Sequence, residues 1–209
     1  VRGTQCIKIA DDVPLHRACL LGCAVVTGVG SVINAAKVQP GDQVAVFGCG
    51  GIGLNVIQGA VLSSAGKIIA VDTDRRKLEA AKTFGATHTI HPDDVEDVVE
   101  AIRRLCDGQG VDYAFEAIGV TSVMNTAFMA LRRGGKAVIV GVAGFGADVN
   151  LPACLFALEE RSVLGTLFGS TNMWRDVPRL IELYQRERLK LDELVSLEAV
   201  SYTHLRAHE

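Results

Sequence analysis

The string Gly48-Cys49-Gly50-Gly51-Ile52-Gly53 constrains this chain more than any other. It lies between an apolar run, Gln43 to Gly48, and a longer run of helical character, Gly51 to Ala65. Glycines at this spacing suit a strand that turns sharply into a helix. Gly48 permits the tight turn, Gly50 lets the backbone approach a pyrophosphate, and Gly53 lets the helix pack closely on a sheet. The helix start, Gly51 and Ile52 included, offers unpaired N–H groups and the positive end of a dipole to the phosphates. Glycine-rich turns also arise for steric reasons alone, so the context decides. Here it includes a carboxylate, Asp72, at the end of the next strand-like run and 19 residues past Gly53, where it can accept hydrogen bonds from an adenosine ribose. Asp74 is the better N-cap for the helix that follows, which leaves Asp72 for the ribose. The run Arg75-Arg76-Lys77 reads mostly as solvated helix surface, and the charge of Asp72 opposes a 2′-phosphate beside it.

Short β-rich runs alternate with helical patterns from Gln43 to about Leu189, as in a parallel sheet covered by helices. The patterns predict strands over 43–48, 67–72, 87–91, 111–116, 136–142 and 162–168. They predict helices over 51–65, 74–84, 93–106, 122–132 and 174–188. Pro40-Gly41-Asp42, Gly108 and Gly110 mark turns, Gly134-Gly135 is expected to end a helix, and Asp74 and Asp93 to cap helix starts. Six strands in this order make two βαβαβ halves, the doubly wound α/β plan of a Rossmann dinucleotide-binding domain. Residues 43–189 are read as that domain. Residues 1–42, with a strand-like run at Cys6 to Ile9 and an uncharged helical region around Cys19 to Ala36, are expected to be the end of an earlier catalytic domain and a connecting helix. Residues 190–199 are read as the start of a closing segment. The last ten residues, 200–209, resemble a translated sequencing-library adapter and are set aside. With them goes the His204, His208, Glu209 spacing, which on a helix would present metal ligands on one face.

Composition narrows the partners. Lys and Arg number 21 against 24 Asp and Glu, a net charge of −3, and no dense basic run marks a nucleic-acid or anionic-membrane surface. The uncharged stretches 18–36 and 43–66 are long enough to raise the question of a membrane span. Thr27, Ser31 and Asn34 interrupt the first, and Asn55, Gln58, Ser63 and Ser64 the second, so both read as buried core. No secretion signal is visible at Val1. The six cysteines, at 6, 19, 23, 49, 106 and 154, contain no Cys-x-x-Cys pair, which argues against a disulfide framework or closed zinc site and fits a reducing cytoplasm. His16, His88 and His91 are given no role, and Trp174 is expected to anchor the last helix by packing.

A second motif, Leu20-Leu21-Gly22-Cys23-Ala24-Val25-Val26-Thr27-Gly28-Val29-Gly30, says little by spacing, because a Cys in an apolar segment suits a core as readily as a metal. Joined to GDQVAVFGCGGIGLNVIQGA, IIAVDTDRRKLEAAKTFGA, VDYAFEAIG and LRRGGKAVIVGV, however, it closely resembles the medium-chain, zinc-dependent alcohol dehydrogenases. The similarity runs from about Cys6 to Leu197 and is nearest the class III-like branch, which includes glutathione-dependent formaldehyde dehydrogenases. It implies NAD and zinc as cofactors and a small-molecule alcohol or aldehyde as substrate, a thiol-formaldehyde adduct such as S-hydroxymethylglutathione among them. It implies that Cys23 is one of three protein ligands of a catalytic zinc and that Thr27 lines the nicotinamide site. Asp72 and Lys77 would contact ribose, and Ile118, Val140, Gly141, Val142 and Phe168 would supply the nicotinamide-side contacts. Relatives pair the sixth strand across a two-fold axis, so a homodimer or tetramer is expected of the full-length protein.

The family's catalytic domain, with the other zinc ligands and the proton relay, would precede Val1. The chain alone is therefore expected to bind nucleotide without turning over, with apolar surface around Leu20 to Val26 exposed. Ala24 stands where many relatives have Gly. Two alternatives are a zinc-free, NADPH-preferring quinone reductase-like enzyme, against which Asp72 and Cys23 count, and a nucleotide-binding module without chemistry.

Overall fold

A computed structural model describes residues 6–195. Its strands are β1 (Gln43–Phe47), β2 (Lys67–Val71), β3 (His88–Ile90), β4 (Val111–Glu116), β5 (Leu131–Ile139) and β6 (Ser162–Gly165). All pair in parallel, in the order β3-β2-β1-β4-β5-β6. The helices are α1 (Leu15–Ala18), α2 (Ala24–Gly30), α3 (Gly51–Leu62), α4 (Arg75–Thr83), α5 (Val98–Leu105), α6 (Thr121–Met129), α7 (Ala153–Leu158) and α8 (Met173–Gln185). α2 continues as a π-helical turn, Ser31–Ala36.

A strand buried on both faces needs apolar residues at successive positions, and β1 supplies them. Val44 and Val46 enter the core on one face with Ile57 of α3 and Leu78 of α4, while Ala45 and Phe47 enter the other with Ile102 of α5 and Phe128 of α6. A third cluster joins Val25, Val26 and Val29 of α2 to Val177, Leu180 and Ile181 of α8. Leu21, Val25 and Val26 are therefore buried, contrary to the expected exposure of 20–26; the closing residues Leu189 and Leu191 supply part of the cover. Within the uncharged run 18–36, residues 25–32 are buried, as read, while Cys19, Gly22, Cys23 and Ile33 are exposed. No single helix among the described residues is long and apolar enough to cross a membrane, although the bent pair Leu15–Gly22 and Ala24–Ala36 would be by length and composition.

Several boundaries differ from the sequence reading, each for a local reason. Residues 6–10 form no strand. Gly134-Gly135 does not end α6, which stops at Met129; both glycines lie within β5. Gly134 takes a φ of +72°, and the register jumps from Val111↔Leu131 to Tyr113↔Lys136, so the pair forms a bulge. Asp93 sits in a short turn, Pro92–Asp94, and Asp97 caps α5 by accepting from Glu100 N at 3.0 Å. β6 ends at Gly165, and Phe168 falls in a tight turn beyond it with a φ of +48°. α7 was not legible in the apolar pattern. Trp174 is 57% exposed, so it does not anchor α8; Val177, Leu180 and Ile181 do. The adapter-like residues 200–209, with His204, His208 and Glu209, lie outside the described residues, as do residues 196–199 of the closing segment.

Candidate dinucleotide-binding site

The sheet reverses its winding between β1 and β4, and a crevice opens there at the carboxyl ends of the strands, where doubly wound folds bind ligands. A cavity of about 500 Å³ fills it, with Gly48, Gly50, Asp72, Lys77 and Ile118 in its wall. Five of the sequence-derived site residues thus meet in one place. Pro92, Val98, Val123 and Thr126 also line it. These the sequence reading missed, since apolar residues at strand ends and helix starts look like ordinary core until the turns are placed.

Each loop glycine has a separate steric reason. Gly48 has a φ of +91°, and a Cβ there would meet Ile118 Cγ1 at 2.5 Å. At Gly53 a Cβ would lie 1.8 Å from the carbonyl oxygen of Gly48, so no side chain fits while α3 packs against the turn. Gly50 differs. Its Cβ would meet nothing within 4 Å, which leaves open space beside the first turn of α3. No side chain caps that helix, so its first-turn N–H groups have no side-chain acceptor, although Gly51, Ile52 and Gly53 themselves do not line the cavity.

Asp72, directly after β2, ties two segments of the crevice wall together. One carboxylate oxygen accepts the Cys49 N–H at 2.7 Å and the other the Asp74 N–H at 2.8 Å. It therefore fixes the glycine turn to the β2 end, and each oxygen retains lone-pair capacity for a ligand hydroxyl. Asp74 caps α4 through Arg76 N at 2.9 Å, as expected. The basic run is sorted by its partners: Arg75 forms a two-pronged pair with Asp94, and Arg76 pairs with Asp74. Lys77 alone of the three lines the cavity. Behind the turn, burial first and the Asp72 charge second push the Cys49 thiol up to about 12.

The remaining assigned residues lie elsewhere. Val140 is buried, Gly141 hydrogen bonds to the Glu116 carbonyl at 2.9 Å, and Val142 is 87% exposed. None of the three, nor Phe168, lines the cavity. Cys23 is exposed, not a core residue, and precedes α2 with an irregular backbone at φ −147° and ψ −79°. The first turn of α2 lies beside the start of α3, where a Cβ on Gly51 would stand 3.9 Å from that of Ala24. Thr27 is buried one turn further on. Among the described residues no three His, Cys, Asp or Glu side chains gather closely enough to hold a metal. One accessible thiol is the right donor type for zinc but does not make a site, so these residues alone do not fit the ion.

Comparison with known proteins agrees with this geometry. The zinc-binding dehydrogenase family profile matches residues 51–186. The S-(hydroxymethyl)glutathione dehydrogenase of Synechocystis sp. is 43% identical over 190 residues, covering 90% of this chain and 51% of its own length. The alcohol dehydrogenase class-3 of Pisum sativum is 43% identical over 199 residues, covering 94% of this chain and 52% of its own. Among solved structures, the benzyl alcohol dehydrogenase of Acinetobacter calcoaceticus superposes with a TM-score of 0.90 at 34% identity, covering 97% of this chain and 55% of that one. The chain spans about half the length of the curated relatives it matches. With the family profile matched over residues 51–186, relatives 43% identical over nine-tenths of its length and a doubly wound parallel sheet, the chain belongs to the zinc-binding dehydrogenase family.

Proposed function

We propose that this chain is the coenzyme-binding part of an NAD-dependent zinc alcohol dehydrogenase. The observation that carries the reading is the crevice cavity itself, with the open space at Gly50 before α3 and Asp72 and Lys77 at its β2 end. The first turn of α3 would hold the pyrophosphate, and Asp72 with Lys77 the adenosine ribose. Ile118 would border the nicotinamide half, and we assign Val140, Gly141, Val142 and Phe168 to the same side. When bound, NAD supplies hydride acceptance. The protein's part is to fix the dinucleotide across the switch point and to keep water from its apolar wall. In the whole protein we assign Cys23 to the zinc and Thr27 to the nicotinamide site, with the other metal donors outside the described residues.

The names of the relatives point the substrate toward an alcohol of the S-hydroxymethylglutathione type. The zinc-free quinone reductase-like reading is not favoured, since the relatives matched are alcohol dehydrogenases. A nucleotide-binding module without chemistry has nothing further to support it. We take residues 43–189 as the dinucleotide domain, flanked by the edges of a catalytic domain at 1–42 and 190–199. We further propose a cytoplasmic protein, on its six thiols, and a homodimer or tetramer joined through the β6 edge.

The test is cofactor choice. NADH should bind more tightly than NADPH, because a 2′-phosphate would approach the Asp72 carboxylate. Asp72→Ala removes charge-assisted hydrogen bonds of about 1.5 to 3 kcal/mol, so NADH affinity should fall by roughly ten- to a hundredfold and the preference should shrink. Equal or tighter NADPH binding by the unsubstituted chain in a fluorescence titration would reject the assignment.

A further inference from the structure

We propose that Glu116 is the positioning residue for the far end of the cavity, setting the backbone against which the nicotinamide ring is held; this rests on the reading of the cavity as an NAD site. Adenosine-side groups sit at the β2 end, and the dinucleotide crosses the switch point, so its other half must lie over the ends of β4 and β5. Glu116 is the last residue of β4 and is fully buried. Its carbonyl accepts both Val140 N and Gly141 N at 2.9 Å, which fixes the end of β5. Its side chain reaches the turn that follows β4. One carboxylate oxygen accepts from Ile118 N at 3.0 Å, Gly119 N at 2.7 Å and Val120 N at 3.3 Å.

Helix capping does not account for this arrangement. Those three N–H groups belong to the turn and to the N-cap residue, Val120, while the unpaired donors of the first α6 turn lie further on. What the carboxylate holds is the turn that carries Ile118 into the cavity wall. That turn is also stacked on the β5 end: at Gly119, with a φ of +90°, a Cβ would meet the Val142 carbonyl oxygen at 2.4 Å. The second carboxylate oxygen is buried without a partner, and a Cβ on Gly141 would stand 2.7 Å from it. An acceptor left unpaired in the interior is unfavourable, and its retention beside the crevice argues for a positional task that an apolar side chain could not perform. Without the carboxylate, the three amides lose their common acceptor and Ile118 is free to swing.

The test compares two probes on the 209-residue chain by calorimetric titration: NADH, and ADP-ribose, which lacks the nicotinamide. Glu116→Ala should weaken NADH by about tenfold or more while leaving ADP-ribose within about twofold, since the ribose and pyrophosphate contacts are untouched. Glu116→Gln keeps one oxygen acceptor but loses the charge, so its NADH loss should be smaller, about threefold to tenfold, with ADP-ribose again unchanged. Retained ADP-ribose binding also shows that a variant is folded. If Glu116→Ala does not fold, Glu116→Gln decides alone. An unchanged NADH to ADP-ribose ratio in a folded variant, or equal loss of both, would overturn the role. So would an unsubstituted chain that binds ADP-ribose and NADH equally. A chain that binds neither probe fails at the cofactor reading instead, which separates the two claims.

Discussion

At the scale of single residues, burial and not sequence position sets the chemistry of the cysteines. Cys49 lies in the glycine turn, a place where an exposed thiol would meet ligand phosphates, yet it is 1% exposed and packed behind the turn. Its thiol titrates near 12 in the folded protein against 9.0 for the ordinary group. The folded state therefore holds this proton through a range in which the unfolded chain has already lost it. The resulting stability is complete below pH 9 and declines as pH rises toward 12, by ~1.4 kcal/mol per unit at most. Urea unfolding between pH 8 and 10.5 should show that decline, and Cys49→Ala should flatten it; an equal slope in both would place the effect elsewhere. The same contrast governs reactivity. Cys23, Cys19 and Cys154 are exposed, whereas Cys49 and Cys106 are buried, and desolvation also raises the Cys106 thiol. Alkylation of the native chain should mark the first three and spare the last two until denaturant is added. Protection of Cys23 in the native chain would contradict the accessible thiol on which the zinc assignment depends.

Between elements, glycines separate close packing from ligand access, and two substitutions resolve them. A Cβ on Gly28 would stand 2.4 Å from Asn55 Cβ, so Gly28→Ala must push α2 away from α3. The cost should be about 1 to 3 kcal/mol, read as a lowered urea midpoint. Gly50→Ala meets nothing in the protein and has a φ of −76°, compatible with alanine. Its stability should stay within about 1 kcal/mol of the parent. NADH affinity should nevertheless fall at least about tenfold, because the methyl group occupies the volume a pyrophosphate needs. A Gly50→Ala chain that binds NADH normally would remove the phosphate from this turn. The first turn of α3 and the carboxylate of Asp72 then act as one unit, since the Cys49 N–H between them is donated to Asp72.

For the molecule as a whole, the sheet leaves one edge to be explained. β6 pairs with β5 on one side, and Val163 is 42% exposed while Phe168, just beyond, is 49% exposed. Thr166 N donates to Ile139 O, so by the two-residue period of a strand Leu164 also faces β5 and Val163 presents its backbone to the free edge. Val163→Pro, not Leu164→Pro, is therefore the substitution that blocks edge pairing without cutting the β5–β6 ladder. Sedimentation of the full-length protein should show a weakened dimer for Val163→Pro; an unchanged dimer would put the interface on another surface.

The sequence determined the six strands of the sheet and their order along the chain, because apolar runs, glycine turns and the Asp74 cap are local signals with local causes. It also marked one end of the crevice, since Gly48, Gly50 and Asp72 line it and act through backbone geometry that a short motif already encodes. It misplaced what depends on packing between distant segments. The bulge at Gly134-Gly135 answers to β4, the burial of Leu21, Val25 and Val26 answers to α8 and to Leu189 and Leu191, and Trp174 is exposed because aliphatic side chains fill the seam beside it. Glu116 was passed over altogether: as one acid at the end of one strand it carries no pattern. Its role exists only once β5 and the turn after β4 have closed around it, because a carboxylate acquires a specific position from the amides that surround it, and those amides come together only in three dimensions.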